Sequence, residues 1–197
     1  MRGRRRSGGH LLHLGHRGEA QGVIYTHRTL WCNFDAVADM VALTDTDRLL
    51  DFRAISWIST QELALGAPLL RGASVLLARR FSVSRYFNWL KRFGVTIGVS
   101  VPTAINMLLN GQCELDPAVL THLRFMTSSS APLSGASGGA SRRHTASRSP
   151  RVRLQRGRLD QRQPPGDRRI GTVGRPLKYQ QVRIVNAAGR SYPQGRR

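Results

Sequence analysis

The amino-acid sequence predicts an α/β fold, in which a layered, mostly parallel sheet carries flanking helices. Two observations support this: apolar segments of helical and of extended periodicity alternate along residues 22–134, and the links between them are short. Strands that alternate with helices in this way run parallel and are joined by right-handed crossovers. Because ligands bind beyond the carboxyl ends of such strands, the turn Ser128–Pro132 is a candidate site on topology alone.

The helices follow from the spacing of apolar residues and from capping residues. They are expected at Thr29–Thr44, from Ser59 or Thr60 to Leu70, from Ser82 or Ser84 to Gly94, and at Pro102–Leu109. Serine and threonine hydroxyls can cap the second and third helices, and Glu62 supports the first turn of the second. Gly72 and Gly94 end these two helices, whereas Pro102 suits the first turn of the fourth because its fixed φ is helical.

Short apolar or β-branched segments are predicted as the strands of the sheet. They are Ser74–Ala78, Val95–Val101 and Leu123–Thr127. Further along the chain, Gln181–Val185 is predicted as a strand, and a turn at Ala187–Gly189 connects it to a partner strand that begins at Ser191. This later hairpin is expected to belong to the same domain as the core.

The charge of the chain is unevenly distributed. The formal net charge is +20, which by itself favours a nucleic-acid or membrane-surface binder. Residues 22–134, however, hold 10 basic and 8 acidic side chains, as in an ordinary enzyme, while residues 1–21, 135–163 and 164–197 contribute +4, +7 and +7. We therefore predict four parts: a basic N-terminal segment (1–21), the α/β core (22–134), an Arg-rich segment without regular apolar spacing that is expected to be disordered (135–163), and a short β-rich part (164–197).

Several other classes of protein are excluded by simple counts. Cys32 and Cys113 are too few for a disulfide framework or a four-thiolate zinc site, and they fit a reducing cytoplasm. Three N-terminal histidines have ligand-like spacing but no evident fourth ligand, so no metal site is expected. The longest apolar stretch, Phe93–Leu109, is interrupted by polar residues and a proline, so no membrane span is expected.

Six short segments occur in a characteristic order and spacing. No single segment is decisive, but together they are specific. They are Gly22–Arg28, Gly72–Leu77, Arg80–Ser82, Thr96–Thr103, Thr127–Leu133 and Gly171–Pro176. In this order they resemble the motifs of the adenylate-forming enzymes, that is, acyl-CoA ligases and their relatives. The matching parts, residues 22–134 and roughly 164–195, cover about three-quarters of the chain.

The resemblance implies an activity and a set of site residues. In that family a carboxylic acid and ATP form an acyl-adenylate and pyrophosphate, and CoA then displaces AMP to give a thioester, while Mg²⁺ screens the phosphates. The resemblance assigns nucleotide binding to Gly22, Thr26, Ser129, Ser130, Ala131 and Pro132. It assigns the wall of the acyl pocket to Trp57, Val101, Pro102, Thr103 and Asn106. The alternatives are a polar loop after a buried strand for the first set and ordinary core packing for the second.

Two hallmarks of the family are missing where the composition is unusual. A glycine- and threonine-rich phosphate loop should precede Gly22, but residues 19–21 read Glu-Ala-Gln where Arg-Pro-Lys is expected, so a carboxylate replaces a cation. The adenine motif should lie between residues 134 and 171. The sequence also stops where the resemblance would continue into a ribose-binding aspartate and a C-terminal domain. No intact catalytic residue is therefore expected, and the chain is predicted to be inactive and poorly folded.

A change of reading frame by one base explains both gaps. Residues 10–21, back-translated with GC-rich codons and read one base later, give TSYTSGTGGRPK, and Gly22 follows directly. Residues 150–163 treated in the same way give QGYGSSEAGWISGN, which contains the adenine motif. Since the codons are chosen, this is a hypothesis: residues 1–21 and 135–163 are out-of-frame translation of a ligase gene, and their arginines follow from GC-rich codons.

The alternative function from another class is a small basic protein that binds nucleic acid through its Arg-rich segments. The run Arg142–Arg162 can contact phosphates, and such binding weakens steeply with salt. The run lacks interleaved aromatic residues for base stacking and matches no nucleic-acid-binding module. We therefore expect no selected nucleic-acid partner.

Overall fold

The core of the protein is a five-stranded parallel sheet. The computed structural model describes residues 7–14, 20–111, 120–128, 153–156, 161–162 and 175–191. The strands of the sheet are β3 (Arg48–Asp51), β4 (Ser74–Leu77), β5 (Ile97–Gly98), β6 (Phe125–Ser128) and β7 (Arg153–Arg156). Their order across the sheet is β4-β3-β5-β6-β7, and every neighbouring pair runs parallel. The predicted α/β fold class is confirmed.

Helices connect these strands. They are α1 (His27–Met40), α2 (Ile58–Gln61), α3 (Ala67–Arg71), α4 (Val83–Phe93) and α5 (Pro102–Asn110). A π-helical turn, Glu62–Gly66, joins α2 to α3 without a break. Two small antiparallel pairs lie outside the main sheet: β1 (Ser7–Leu14) with β2 (Ala20–Thr26), and β8 (Gln161–Arg162) with β9 (Arg175–Pro176).

Alternate residues of the strands face opposite layers of helices. Leu49, Ile97 and Phe125 are neighbours in register and pack with α1, the π-helical turn and α3 in one buried cluster. The next residues of β3 and β6, Leu50 and Met126, pack with α4 and α5 in a second cluster. Because side chains alternate across a strand, one sheet separates two hydrophobic cores.

Several predicted elements are confirmed closely. Helix α4 has Ser82 as its N-cap residue and ends at Gly94, whose φ of 58° lies in the left-handed region that glycine adopts without strain. Helix α5 begins at Pro102, as its fixed φ predicts. Strand β4 differs from its predicted range by one residue.

Other elements differ from the prediction, each for a local reason. Strand β3 was not predicted, because its two buried leucines stand between charged residues and give a very short apolar run. Helix α1 starts two residues early, since Thr26 is its N-cap. Helix α2 has Trp57 as its N-cap without a side-chain bond. The predicted caps, Ser59 or Thr60, both lie inside the helix, and Ser59 Oγ accepts a hydrogen bond from Arg53 Nη1.

The remaining differences concern strands. Strand β5 covers only Ile97–Gly98 of the predicted strand Val95–Val101, although the amides of Thr96 and Val99 also donate hydrogen bonds to carbonyl oxygens of β3. Residues 181–184 form no ladder, and the predicted hairpin is reduced to one bridge between Val185 and Ser191. Residues 153–156 form β7 beside β6, whereas the Arg-rich segment was expected to be disordered. Among the described residues, no helix is long and apolar enough to cross a membrane.

Candidate active site at the carboxyl edge of the sheet

Two helices of the core begin at the same edge of the sheet. Helix α2 follows β3, and α5 follows β5, which is the strand next to β3. Parallel strands end at one edge, so the starts of both helices lie at the carboxyl edge, where α/β proteins bind ligands. Trp57 is the N-cap residue of α2 and Val101 that of α5, so two acyl-pocket candidates begin neighbouring helices.

The exposure of the acyl-pocket candidates divides them into two groups. Trp57 is 52 % exposed, Thr103 is exposed, and Asn106 and Val101 are partly buried, so a ligand can reach them. Pro102 is buried and begins α5, which is a structural role. The assignment of these residues to an acyl pocket stays a prediction.

Hydroxyl groups gather at the ends of β5 and β6. The Ser100 amide donates a hydrogen bond to Thr127 Oγ1 at 3.4 Å, which joins the two strand ends. The buried Ser128 Oγ has no hydrogen-bond partner among the described residues. An unmade buried hydrogen bond costs about 1–3 kcal/mol, so Ser128 Oγ is suited to a polar atom of a ligand. The nucleotide-site residues that the resemblance assigns begin at Ser129 and so omit Ser128. The sequence signal that indicates Ser128 is the run of three serines after an apolar strand.

A buried ion pair fixes the loop that leads from β3 to Trp57. Arg53 donates from Nη2 to Asp51 Oδ2 at 2.8 Å and from Nε to Asp51 Oδ1 at 3.0 Å. The guanidinium also donates to the hydroxyl and the carbonyl oxygen of Ser59 on α2. The pair therefore ties the end of a central strand to the helix that carries Trp57.

The nucleotide-site candidates are only partly within the described residues. Gly22 lies in β2 opposite Leu12. Thr26 Oγ1 accepts a hydrogen bond from the Thr29 amide at 3.1 Å and so caps α1. The candidates Ser129, Ser130, Ala131 and Pro132 lie outside the described residues. Their roles in nucleotide binding stay predictions. In the part of the chain that the structure describes, no group of three or more His, Cys, Asp or Glu could hold a metal ion.

From the sequence alone, Glu62 is predicted only to support the first turn of the second helix. Its carboxylate is buried in the π-helical turn and accepts a hydrogen bond from Asn33 Nδ2 at 3.0 Å. Burial raises the pKa of Glu62, and the hydrogen bond from Asn33 opposes that shift. Because π-helical turns within helices are frequent at functional sites, the Glu62–Asn33 pair is a candidate for a functional role in addition to its role in packing.

Asp35 joins segments that are far apart in sequence. Its side chain is 7 % exposed and accepts hydrogen bonds from Lys178 Nζ at 2.7 Å, Tyr179 Oη at 2.9 Å and Arg71 Nη2 at 2.9 Å. These donors, led by Lys178, lower the pKa of Asp35 to about 2. No local pattern in the sequence indicates these contacts, because the partners lie 36 to 144 residues away.

Asp35→Ala is expected to release the turn around Lys178 from α1. We expect the free energy of unfolding to fall by about 2 kcal/mol, because charge-assisted hydrogen bonds to one buried carboxylate are lost. Trypsin cleavage after Lys178 is expected to accelerate. The pKa of Asp35 lies below its ordinary value, so its stabilising effect is complete above about pH 4 and disappears as the pH falls towards 2.

The matched control is Asp45→Ala, an exposed aspartate on the loop after α1. It is expected to change neither stability nor cleavage. Equal cleavage rates after Lys178 in the Asp35 variant and the parent would show that the carboxylate does not hold this turn.

Comparison with known proteins agrees with this geometry. The AMP-binding enzyme family matches residues 15–197. A sulfoacetate–CoA ligase of Cupriavidus necator is 32 % identical over 188 residues, which are 92 % of this chain and 36 % of the relative. The chain thus spans about a third of the length of that relative.

Solved structures share the fold at lower identity. The anthranilate–CoA ligase AuaEII, in complex with anthranoyl-AMP, superposes with a TM-score of 0.84 at 22 % identity over 98 % of this chain and 38 % of that one. The apo form of MatB from Rhodopseudomonas palustris gives a TM-score of 0.79 at 23 % identity over 99 % and 38 %. The extent of the family match, together with the parallel sheet and the helices that begin at its carboxyl edge, shows that this chain belongs to the AMP-binding enzyme family.

Proposed function

We propose that the chain is the acid- and nucleotide-binding core of an ATP-dependent acid–CoA ligase. The reaction joins a carboxylate to ATP, which gives an acyl-adenylate and pyrophosphate, and CoA then takes the acyl group as a thioester and releases AMP. The observation that carries this proposal is the buried Ser128 Oγ, which has no hydrogen-bond partner within the described part of the chain and lies at the carboxyl edge of the sheet. The family match and the sulfoacetate–CoA ligase relative support the same reaction class.

The acid binds where α2 and α5 begin. The exposed indole of Trp57 offers an apolar wall, and Thr103 and Asn106 offer polar groups on the first turns of α5. Ser128 Oγ binds a polar atom of the acyl-adenylate at the adjacent strand end. The ion pair of Asp51 with Arg53 holds the loop before Trp57 and so acts as a positioning element.

The residues present where the triphosphate is expected to bind do not suit a triphosphate. The connection between β1 and β2 contains Glu19, whose carboxylate repels phosphate, and residues 20 and 21 supply no cation. We attribute this to the reading-frame change, so that residues 1–21 and 135–163 are out-of-frame translation. Strand β7 supports this placement: its residues 153–156 correspond to the Gly-Ser-Ser-Glu of the recovered adenine motif, and they lie beside Ser128.

A repaired chain tests the proposal. It carries TSYTSGTGGRPK at residues 10–21 and QGYGSSEAGWISGN at residues 150–163. A non-hydrolysable acyl-sulfamoyl adenosine is expected to raise its Tm by about 5 °C or more at 100 times Kd, because the ligand binds only the folded state. The unrepaired chain, which lacks a phosphate loop and an adenine motif, is expected to show no such rise.

Two controls make the result specific. A chain repaired only at residues 10–21 is expected to respond weakly, since it lacks the adenine motif. Sulfamoyl adenosine without an acyl group reports how much of the shift depends on the acid pocket. If the chain repaired at both residues 10–21 and residues 150–163 folds and shows no shift, the proposed function is wrong.

The proposal also specifies the substrates, the metal ion and the cellular compartment. The substrate is an organic carboxylic acid, ATP and CoA are the co-substrates, and Mg²⁺ would screen the phosphate charges. The two cysteines favour a reducing cytoplasm as the site of action. No finding favours the nucleic-acid-binding alternative, for which tight binding of RNA that heparin and salt abolish would be the signature.

A further inference from the structure

The acidic residues of the core are unevenly placed along the chain. Residues 22–134 contain eight Asp or Glu side chains, but none of them lies in residues 63–113. The same stretch contains six basic residues, which are Arg71, Arg79, Arg80, Arg85, Lys91 and Arg92. Arg71 is ion-paired with Asp35 and Asp39, and the other five are exposed. The surface around α4 is therefore strongly positive, although residues 22–134 as a whole carry nearly balanced charge.

One side of α4 is exposed, and its charged residues are all basic. This side, the basic face, consists of Ser84, Arg85, Asn88, Lys91 and Arg92. The helical repeat places these five residues within about a third of the helix circumference. The opposite side is packed into the second hydrophobic cluster through Tyr86 and Leu90. The core therefore fixes which side of α4 faces outwards.

The stability of the helix does not account for the basic face. Lys91 and Arg92 lie in the last turn, where cations interact favourably with the helix dipole. Arg85 lies in the first turn, where the same dipole disfavours a cation. Helix α4 contains no acidic residue, so it has no ion pairs between successive turns. An anionic partner outside the chain explains all three cations, whereas helix stability explains only two.

A further cation extends the basic face at the C-terminal end of α4. Arg48 Nη1 donates a hydrogen bond to the carbonyl oxygen of Phe93 at 3.1 Å, so a guanidinium from β3 lies beside this end of the helix. Two carboxylates precede β3. Asp47 is ion-paired with Arg124, and Asp45 lies beside the start of β4, which is separated from β5 by β3. The end of α4 thus remains positively charged.

The residue that ends α4 favours a lipid surface over a nucleic acid. The ring of Phe93 is 38 % exposed, and the guanidinium carbon of Arg92 lies 5.4 Å from the ring centroid. A ring that already carries a guanidinium is poorly suited to base stacking. An aromatic ring among cations suits the boundary between lipid headgroups and acyl chains. The basic face is also the convex outer side of one helix, which provides no groove for a peptide.

We propose that the basic face docks on a bilayer that contains anionic lipids. Helix α4 lies parallel to the bilayer surface, and Arg85, Lys91 and Arg92 donate hydrogen bonds to the headgroup oxygens. Phe93 enters the headgroup region. Each cation held near such a surface strengthens binding about fivefold, and salt weakens this contribution. The inference does not depend on the ligase reaction.

Trp89 supplies a local probe, because it is a partly buried residue of α4. A local probe is needed since the arginines of residues 135–163 can attract the same lipids. The variant Trp31→Phe/Trp57→Phe retains Trp89 as its sole tryptophan and serves as the parent. Vesicles of phosphatidylserine and phosphatidylcholine that carry a nitroxide-labelled headgroup are expected to quench Trp89 emission. Vesicles of labelled phosphatidylcholine alone are expected to leave the emission unchanged.

Variants of the basic face test the role of its charge. Arg85→Gln/Lys91→Gln/Arg92→Gln is expected to raise the lipid concentration at half-maximal quenching about a hundredfold, because three cations are lost. Arg85→Lys/Arg92→Lys retains the charges and is expected to stay within about threefold of the parent. Far-UV circular dichroism checks that both variants are folded, as the exposure of these side chains predicts.

The matched control removes three exposed cations that lie outside the basic face, in Arg28→Gln/Arg183→Gln/Arg190→Gln. It is expected to change half-maximal quenching less than about threefold. Quenching that is lost in the glutamine variant of the basic face and retained in this control supports the proposal. Equal quenching of that variant and the parent, or equal quenching by phosphatidylcholine alone, overturns it. A Trp89 response to polyuridylate but not to vesicles also overturns it and identifies a nucleic acid as the partner.

Discussion

Asp51→Ala is expected to lower the free energy of unfolding by about 3–5 kcal/mol, the largest effect of any single substitution considered for this fold. The Asp51 side chain is fully buried and that of Arg53 is 2 % exposed. Removal of the carboxylate leaves a buried guanidinium without its counter-charge. Urea unfolding followed by far-UV circular dichroism measures the change, provided that the slope of the transition is unchanged.

Two further variants test whether the unpaired buried charge of Arg53 causes the loss of stability in Asp51→Ala. Asp45→Ala removes an exposed aspartate and is expected to have an effect below about 0.5 kcal/mol. The double variant Asp51→Leu/Arg53→Met removes both charges and is expected to recover most of the loss, since apolar residues of similar volume replace buried pairs with little cost. A single variant that costs less than about 1 kcal/mol would show that this pair does not hold the loop before Trp57.

Gly66→Ala is expected to destabilise the protein by about 2 kcal/mol, although alanine normally favours a helix. A Cβ at residue 66 would lie well inside van der Waals contact with ring atoms of Phe34. Helix α1 and the π-helical turn therefore approach each other at the one position where a side chain is absent. To admit a methyl group, the ring must shift or the two helical segments must separate.

The background variant Phe34→Ala tests this steric explanation. Without the ring, Gly66→Ala is expected to be neutral or to stabilise the protein by up to about 1 kcal/mol, because only helix propensity remains. The cycle is measured by urea unfolding of the four proteins. An equal cost of Gly66→Ala with and without the Phe34 ring would contradict the close approach seen in the structure.

Local signals were sufficient for the elements that have clear caps and periodicity. Helix α4 is predicted from a start at Ser82 or Ser84 and an end at Gly94, and α5 from Pro102, because these residues act on the backbone next to them. Strand β3 was missed because two apolar residues are too few for any periodicity. Its place in the interior of the sheet follows from pairing with β4 and β5, which no local pattern encodes.

The same distinction applies to the site. The run of serines after β6 and the start of α5 indicated the carboxyl edge, since both follow directly from strand ends. The contact of Asp35 with Tyr179 spans 144 residues, so only tertiary packing can reveal it. Tyr179 also has a φ of 70°, in the left-handed region that residues other than glycine rarely adopt, so this conformation is not expected from the sequence either.

We propose that an acid–CoA ligase gene is read out of frame in two stretches of this chain, residues 1–21 and 135–163. Sequencing the source DNA through the codons for Gly18–Val23, Ser134–Ala136 and Gln163–Pro165 tests it most directly. We predict that a missing or additional base at these three boundaries restores the phosphate loop before Gly22 and the adenine motif at β7. DNA in which the codons read as the chain reads, with neither motif in the neighbouring frame, would contradict the claim.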